Sequence, residues 1–137
     1  MCFTYGTWFG VRGLRATGAE SSDPALRRAC EFLYHQQNSD GGWGESGASC
    51  RERRYIAGAS HAVNTAWALL TLVSAGETRD PRCERAARFL VATQLDNGDW
   101  PRQSLSGVFN KTALINYENY RRYFPIWALA RFAAAAA

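Results

Sequence analysis

Gln37-Asn38-Ser39-Asp40-Gly41-Gly42-Trp43 is written a second time as Gln94-Leu95-Asp96-Asn97-Gly98-Asp99-Trp100. Both stretches read Gln-x-x-x-Gly-x-Trp, and they lie 57 residues apart. The likeness extends backwards to Asp23-Pro24 and Asp80-Pro81, so that nine of 21 positions coincide between residues 23–43 and 80–100. A repeat of that length and period points to stacked copies of one supersecondary unit, each covering the apolar face of the next. Within the unit the Gln ends a helix, and Asp-Gly or Asn-Gly supplies a tight turn with φ > 0. The Trp then folds back beneath the amide, whose polar groups cap backbone at helix ends. Gln37, Gly41, Trp43, Gln94, Gly98 and Trp100 are therefore read as a structural clasp between repeats, not as chemistry.

Working outward from the clasps, the chain divides into helices of two kinds. Asp23 is a good N-cap and Pro24 suits the first helical position, which predicts a helix from Pro24 to about Gln37. Its apolar residues Leu26, Ala29, Cys30 and Leu33 fall on one stripe. Asp80 and Pro81 open a second such helix, with Cys83, Ala86, Ala87 and Leu90 on its stripe and an end near Gln94. The other kind is apolar nearly all round. Val63–Ala75 carries no charge and is stopped by Gly76; Tyr5–Thr17, stopped by Gly18, and Phe124–Phe132 are similar. Their Trp8, Trp67 and Trp127 recur at intervals of 59 and 60 residues. A helix without a polar face is expected to be buried on most sides. Amphipathic outer helices alternating with buried inner ones predict an all-α, double-layered α/α toroid or solenoid.

The 137 residues are 47% hydrophobic and 20% charged, values of a globular domain with a real core. The net charge of +4 comes from arginine, Lys111 being the only lysine, and the arginines are scattered singly or in pairs. That pattern excludes a nucleic-acid footprint, which needs clustered charge and a binding motif. Four cysteines show no CxxC pair, and Cys30 and Cys83 fall on apolar helix positions, as buried thiols in a reducing compartment would. Neither histidine has a metal-ligand partner at helical spacing, so no metal or other cofactor is expected. No secretory leader and no membrane-spanning run is expected. Ala133–Ala137 reads as a disordered tail, and the abrupt Phe3-Thr4-Tyr5 start suggests a piece of something longer.

The residues then carry a resemblance. Arg28-Ala29, Phe32-Leu33, Gln37 and Gly41-Gly42-Trp43 resemble the QW motif of the triterpene cyclases. Met1–Phe9, Asp40–Glu45, Asn97–Pro101, Gly107–Lys111 and Tyr120–Leu129 are similar, in order, to the C-terminal part of oxidosqualene cyclases of the lanosterol-synthase kind. The bacterial squalene–hopene cyclases share the clasp. The Gly-Val-Phe-Asn-Lys block and Phe9 after Trp8 look more like the oxidosqualene branch.

The resemblance implies that residues 1–137 are an incomplete C-terminal part of an (α/α)6 barrel domain. It implies a small-molecule substrate, 2,3-oxidosqualene, cyclised through carbocations in an apolar cavity, with no cofactor. Trp8, Phe109 and Tyr117 match cavity-lining aromatics of the family and are expected to stabilise cations or line the same wall. Ala113 stands where the family often has a Cys, a departure that bears on cavity shape or product. His61 is expected to cap the inner helix that follows it, Cys50 and Tyr55 to be structural, and Glu45 to be a helix-end acceptor for a nearby Arg.

What is missing matters as much. The family's protonating acid sits in an Asp-Cys-Thr-Ala-Glu-type block, and none of Asp23, Asp40, Asp80, Asp96 or Asp99 is followed by Cys-Thr. The acid, the deprotonating His/Tyr pair and the membrane-inserting region are expected upstream of Met1. Alone, the segment is expected to be inactive, to hold no catalytic residue, and to expose apolar edges. The resemblance also implies peripheral membrane association, on the cytoplasmic side, through regions outside it. The competing readings are a squalene–hopene-type fragment and a non-catalytic helical-repeat interaction module. A third is a prenyltransferase β-subunit, which needs a zinc site of Asp, Cys and His that the sequence does not offer.

Overall fold

The computed structural model describes residues 3–103, 107–109 and 113–137. Asp23 accepts from the Ala25 N–H at 2.7 Å and Pro24 follows, opening α2 (Pro24–Gln36) after α1 (Phe3–Ala16). The same device, Asp80 accepting from the Arg82 N–H at 2.8 Å ahead of Pro81, opens α5 (Pro81–Ala92). Between them lie the short α3 (Ala48–Glu52) and the long apolar α4 (Ala62–Ala75). After α5 come β1 (Gly107–Phe109), β2 (Ala113–Ile115) and α6 (Glu118–Ala136).

The helices form two layers. α1, α4 and α6 make an inner row with α4 at its centre; α2 and α5 pack behind it as the outer layer. Leu26, Cys30 and Leu33 of α2, and Cys83, Ala86, Ala87 and Leu90 of α5, are the buried stripes. Every residue of α4 except Ser74 is buried, and Gly76 ends it at φ 95°, donating to Val73 and Leu72 carbonyls. The all-α double layer read from the sequence is the architecture observed.

Three features depart from the expectation. First, only α4 is buried all round. α1 buries Thr4, Trp8 and Val11, and α6 buries Phe124, Pro125 and Ala128, because each packs mainly on α4 and they meet one another only through a few side chains around Trp8 and Trp127. Second, α6 begins before Phe124 and runs through Ala136. Four of the five alanines expected as a disordered tail therefore continue the helix, as high alanine propensity favours. Third, β1 and β2 pair antiparallel, with Gly107 opposite Ile115, Val108 opposite Leu114 and Phe109 opposite Ala113.

Candidate functional site

The clasps use their side chains as mechanical parts. The Trp43 indole N–H donates to the Leu33 carbonyl at 2.9 Å, and the Trp100 indole does the same to Leu90 at 2.9 Å. Each Trp is fully buried and pins the turn to the last carbonyls of its own outer helix. Gln37 Nε2 donates to the Gly41 carbonyl at 2.9 Å and across to the Arg82 carbonyl at 3.0 Å, while its Oε1 accepts from Arg85. One amide thus joins the end of α2 to the start of α5. Gln94 makes the matching bond to the Gly98 carbonyl at 2.8 Å. The second clasp is tied forward through Arg121, which donates to the Trp100 carbonyl at 2.6 Å and pairs with Asp99.

In front of the clasps the inner row carries a continuous sheet of aromatic rings. Trp8 stacks on Trp67 at a centroid distance of 6.5 Å and meets Phe124 and Trp127 edge-on at 5.4 and 5.9 Å. Tyr5, one turn before Trp8, lies 4.9 Å from Trp67. Tyr120 joins Trp67 at 6.0 Å and Phe124 at 5.1 Å, and Tyr117 stands 4.9 Å beyond Tyr120. Trp8 and Tyr117 therefore belong to one cluster, linked through Trp67, Tyr120 and Phe124. Their exposure differs sharply: Trp8 is 5% accessible and Tyr117 51%. Phe109 ends β1 opposite Ala113, and its side chain lies outside the described set.

The phenols of this cluster resist ionisation, and the one described cation against its rings is Arg12, over Trp8 and Trp127. Burial, then the neighbouring Tyr120 and Tyr117, pushes the Tyr5 phenol above its ordinary value; burial, then Tyr120 and Tyr5, does the same to Tyr123. The Tyr5 and Tyr123 hydroxyls are therefore neutral at physiological pH. Two buried indole N–H groups, of Trp8 and Trp67, have no acceptor among the described residues.

Sequence reasoning missed Tyr5, Trp67, Tyr120 and Phe124 as members of this surface. A signal existed, since Tyr5 and Trp8, like Tyr117 and Tyr120, are three apart and share a helix face. His61 caps α4 as expected, its Nδ1 accepting from the Val63 N–H at 3.2 Å. Tyr55 donates to the Gly44 carbonyl at 2.8 Å, and burial followed by the nearby Glu45 pushes its phenol up to about 12. Glu45 is a helix-end acceptor as expected, and its described bonds run to the start of α1. It takes the Phe3 and Thr4 N–H groups at 3.2 and 2.9 Å and the Thr4 hydroxyl at 2.9 Å. Orphan N–H groups at a helix start are natural partners for a carboxylate.

Cys30 and Cys83 are free, buried thiols, pushed up to about 11 and about 12 by burial and then by Glu77 and Asp80. Cys50, by contrast, is disulfide-bonded. Among the described residues no three His, Cys, Asp or Glu side chains converge as metal ligands. No described helix is long and apolar enough to cross a membrane.

Residues 1–134 match the family described as the squalene-hopene cyclase C-terminal domain. The chain belongs to that family. It is 46% identical over 137 residues to lanosterol synthase of Homo sapiens, covering 96% of this chain and 19% of that protein. It is 48% identical over 134 residues to cycloartenol synthase of Dictyostelium discoideum, covering 96% and 19%. It is also 41% identical over 135 residues to a squalene–hopene cyclase of Bradyrhizobium diazoefficiens, covering 96% and 20%. The chain thus spans about a fifth of the length of these relatives. Membership of the squalene-hopene cyclase C-terminal domain family accounts for the layered helices as part of an α/α toroid, and it does not favour a stand-alone interaction module.

Proposed function

We propose that this chain forms part of the cavity wall of a triterpene cyclase, in an enzyme that cyclises 2,3-oxidosqualene to a sterol-type product through carbocations. The observation that carries the reading is the unbroken aromatic cluster from Tyr117 through Tyr120, Phe124 and Trp67 to Trp8. A carboxylate beside a carbocation would capture it as an ester. A π face instead stabilises positive charge by roughly 0.5–2 kcal/mol without forming a bond. Rigid rings also hold a flexible polyene folded, and orientation of that kind contributes several kcal/mol to a barrier. An apolar wall further keeps water away from intermediates that it would quench.

In this reading Trp8, Phe109 and Tyr117 face or support the cavity, and Ala113, paired with Phe109 across the hairpin, helps set its shape. The clasps perform no chemistry; they hold the inner row in register. The aspartates available are turn, cap or ion-pair residues, so the proton that opens the epoxide comes from another part of the polypeptide. The segment by itself is inactive, and membrane association belongs to regions outside it.

The test is a chimera. Residues 1–137 replace the corresponding segment of human lanosterol synthase, and products from 2,3-oxidosqualene are resolved by mass spectrometry. Cyclised product is expected from the chimera and none from the 137-residue chain alone. Phe109→Ala and Tyr117→Ala are expected to change the product ratio in the chimera. A folded, active chimera whose products are indifferent to both substitutions and to Trp8→Ala would sink the assignment.

A further inference from the structure

At the far end of the inner row from Tyr117, three helices contribute matching pairs to one cavity of about 190 Å3. Trp8 and Arg12 come from α1, Leu70 and Ser74 from α4, and Trp127 and Arg131 from α6. In each pair the residues are four apart, so one side chain stands a turn above the other on the same helix face. The lower tier is Trp8, Leu70 and Trp127, an apolar floor. The upper tier is Arg12, Ser74 and Arg131, a polar rim with two permanent positive charges. No carboxylate lines the cavity.

We propose that this cavity is an oxyanion site, taking a phosphate-type group, whether free orthophosphate or a lipid phosphomonoester, between Arg12 and Arg131. Arg12 is held in place from below, its guanidinium carbon 5.5 Å from the Trp8 ring centroid and 5.1 Å from that of Trp127. Ring stacking fixes a guanidinium while leaving its N–H groups unspent, the condition in which its fork grips a tetrahedral oxyanion. The described ion pairs engage Arg51, Arg82, Arg88, Arg102, Arg121 and Arg122; neither Arg12 nor Arg131 is among them. The Ser74 hydroxyl adds a donor. Trp8, nearly fully buried, contributes apolar ring surface to the floor beneath the two guanidinium groups.

Helix C-termini repel anions, and α1 and α4 both end close by. Here several of their last carbonyls are already engaged, and the two arginines outweigh the partial negative charge of the remainder. Those of Gly13, Leu14 and Arg15 accept from Thr17, Gly18 and Ala19, and those of Leu72 and Val73 accept from Glu77 and Gly76. The volume is several times what one ordered water occupies, enough for a tetrahedral oxyanion with part of its hydration. None of this depends on the cyclase reading, and the two stand or fall separately.

The test titrates orthophosphate against the 137-residue chain at constant ionic strength, with chloride as the reference anion. Tryptophan emission is the local probe, because Trp8 and Trp127 form the floor. Saturable phosphate binding is expected, and Arg131→Gln is expected to weaken it about tenfold, the loss of one charge-assisted fork. Arg12→Lys, which keeps the charge but not the fork, is expected to weaken it less. Arg88→Gln, at an exposed pair on α5, is expected to leave it unchanged. Flotation with vesicles of phosphatidylcholine, with and without phosphatidic acid, separates the sources. Recruitment that needs both phosphatidic acid and Arg131 assigns a lipid headgroup; saturable orthophosphate binding without recruitment assigns a free oxyanion. A phosphate response no different from chloride, or one equally present in Arg131→Gln with its helical circular dichroism intact, overturns the proposal.

Discussion

Gly41 and Gly98 hold the same place in the two clasps, at φ of 89° and 81°, but they meet different surroundings. A Cβ on Gly41 would come 2.7 Å from the Arg85 carbonyl oxygen, whereas one on Gly98 would meet nothing within 4 Å. Alanine at either position incurs the left-handed strain of about 1–2 kcal/mol. Gly41→Ala must in addition push α5 away from the first clasp, breaking the contacts of Gln37 with Arg82 and Arg85. It is expected to cost at least about 1 kcal/mol more than Gly98→Ala in urea denaturation. Equal losses would mean that the Gln37 joint contributes little to holding the outer helices together. At this scale the sequence was legible wherever the chemistry is local, since Asp-Gly and Asn-Gly turns and Asp-Pro caps act within a few residues. Glu45 shows the limit: its partners Phe3 and Thr4 are 42 and 41 residues away, and nothing in its neighbourhood names them.

At the scale of elements, hydrophobic periodicity located α2, α4 and α5 because each has its apolar surface covered within the chain. It misjudged α1 and α6, whose apolar composition describes more burial than their described neighbours provide. The hairpin escaped notice because two strands of three residues are too short to show a period. The link between α5 and α6 is electrostatic and makes its own prediction. The Trp100 N–H, at 2.8 Å, and then the Arg121 guanidinium hold the Asp99 carboxyl below its ordinary value. A lowered folded-state value means the carboxylate's contribution is complete above the unfolded value of about 3.9 and lost as pH falls through the folded one. Asp99→Asn is therefore expected to melt below the parent chain at pH 7, with the gap closing as both are acidified below about pH 4. A gap that stays constant down to pH 2.5 would assign the effect to packing and not to the charge.

At the scale of the molecule, a repeat states that units stack but not how many are needed to close the stack. Two clasps and three inner helices hold a layered unit together and leave its outermost faces bare. Phe9 on α1 is 53% accessible and Ile126 on α6 is 55% accessible, and Gly6, Gly10 and Gly13 offer α1 no side chain to cover its free side. Exposed apolar surface of this kind on a folded unit drives association. The isolated chain is expected to bind 8-anilinonaphthalene-1-sulfonate while folded and to associate as its concentration rises, followed by light scattering. Ile126→Glu is the discriminating variant, because Ile126 is exposed and lies outside the buried core, so the substitution places a charge on the bare face. It is expected to lower both dye emission and scattering with helical circular dichroism unchanged; Phe9→Ser should act likewise on the opposite edge, with some loss of stability from its contacts to Tyr5 and Trp8. A parent chain that stays monomeric and dye-silent over the same range would mean that α1 and α6 end the stack in solution as they stand. The aromatic cluster would then belong to a finished unit and not to one segment of a closed wall.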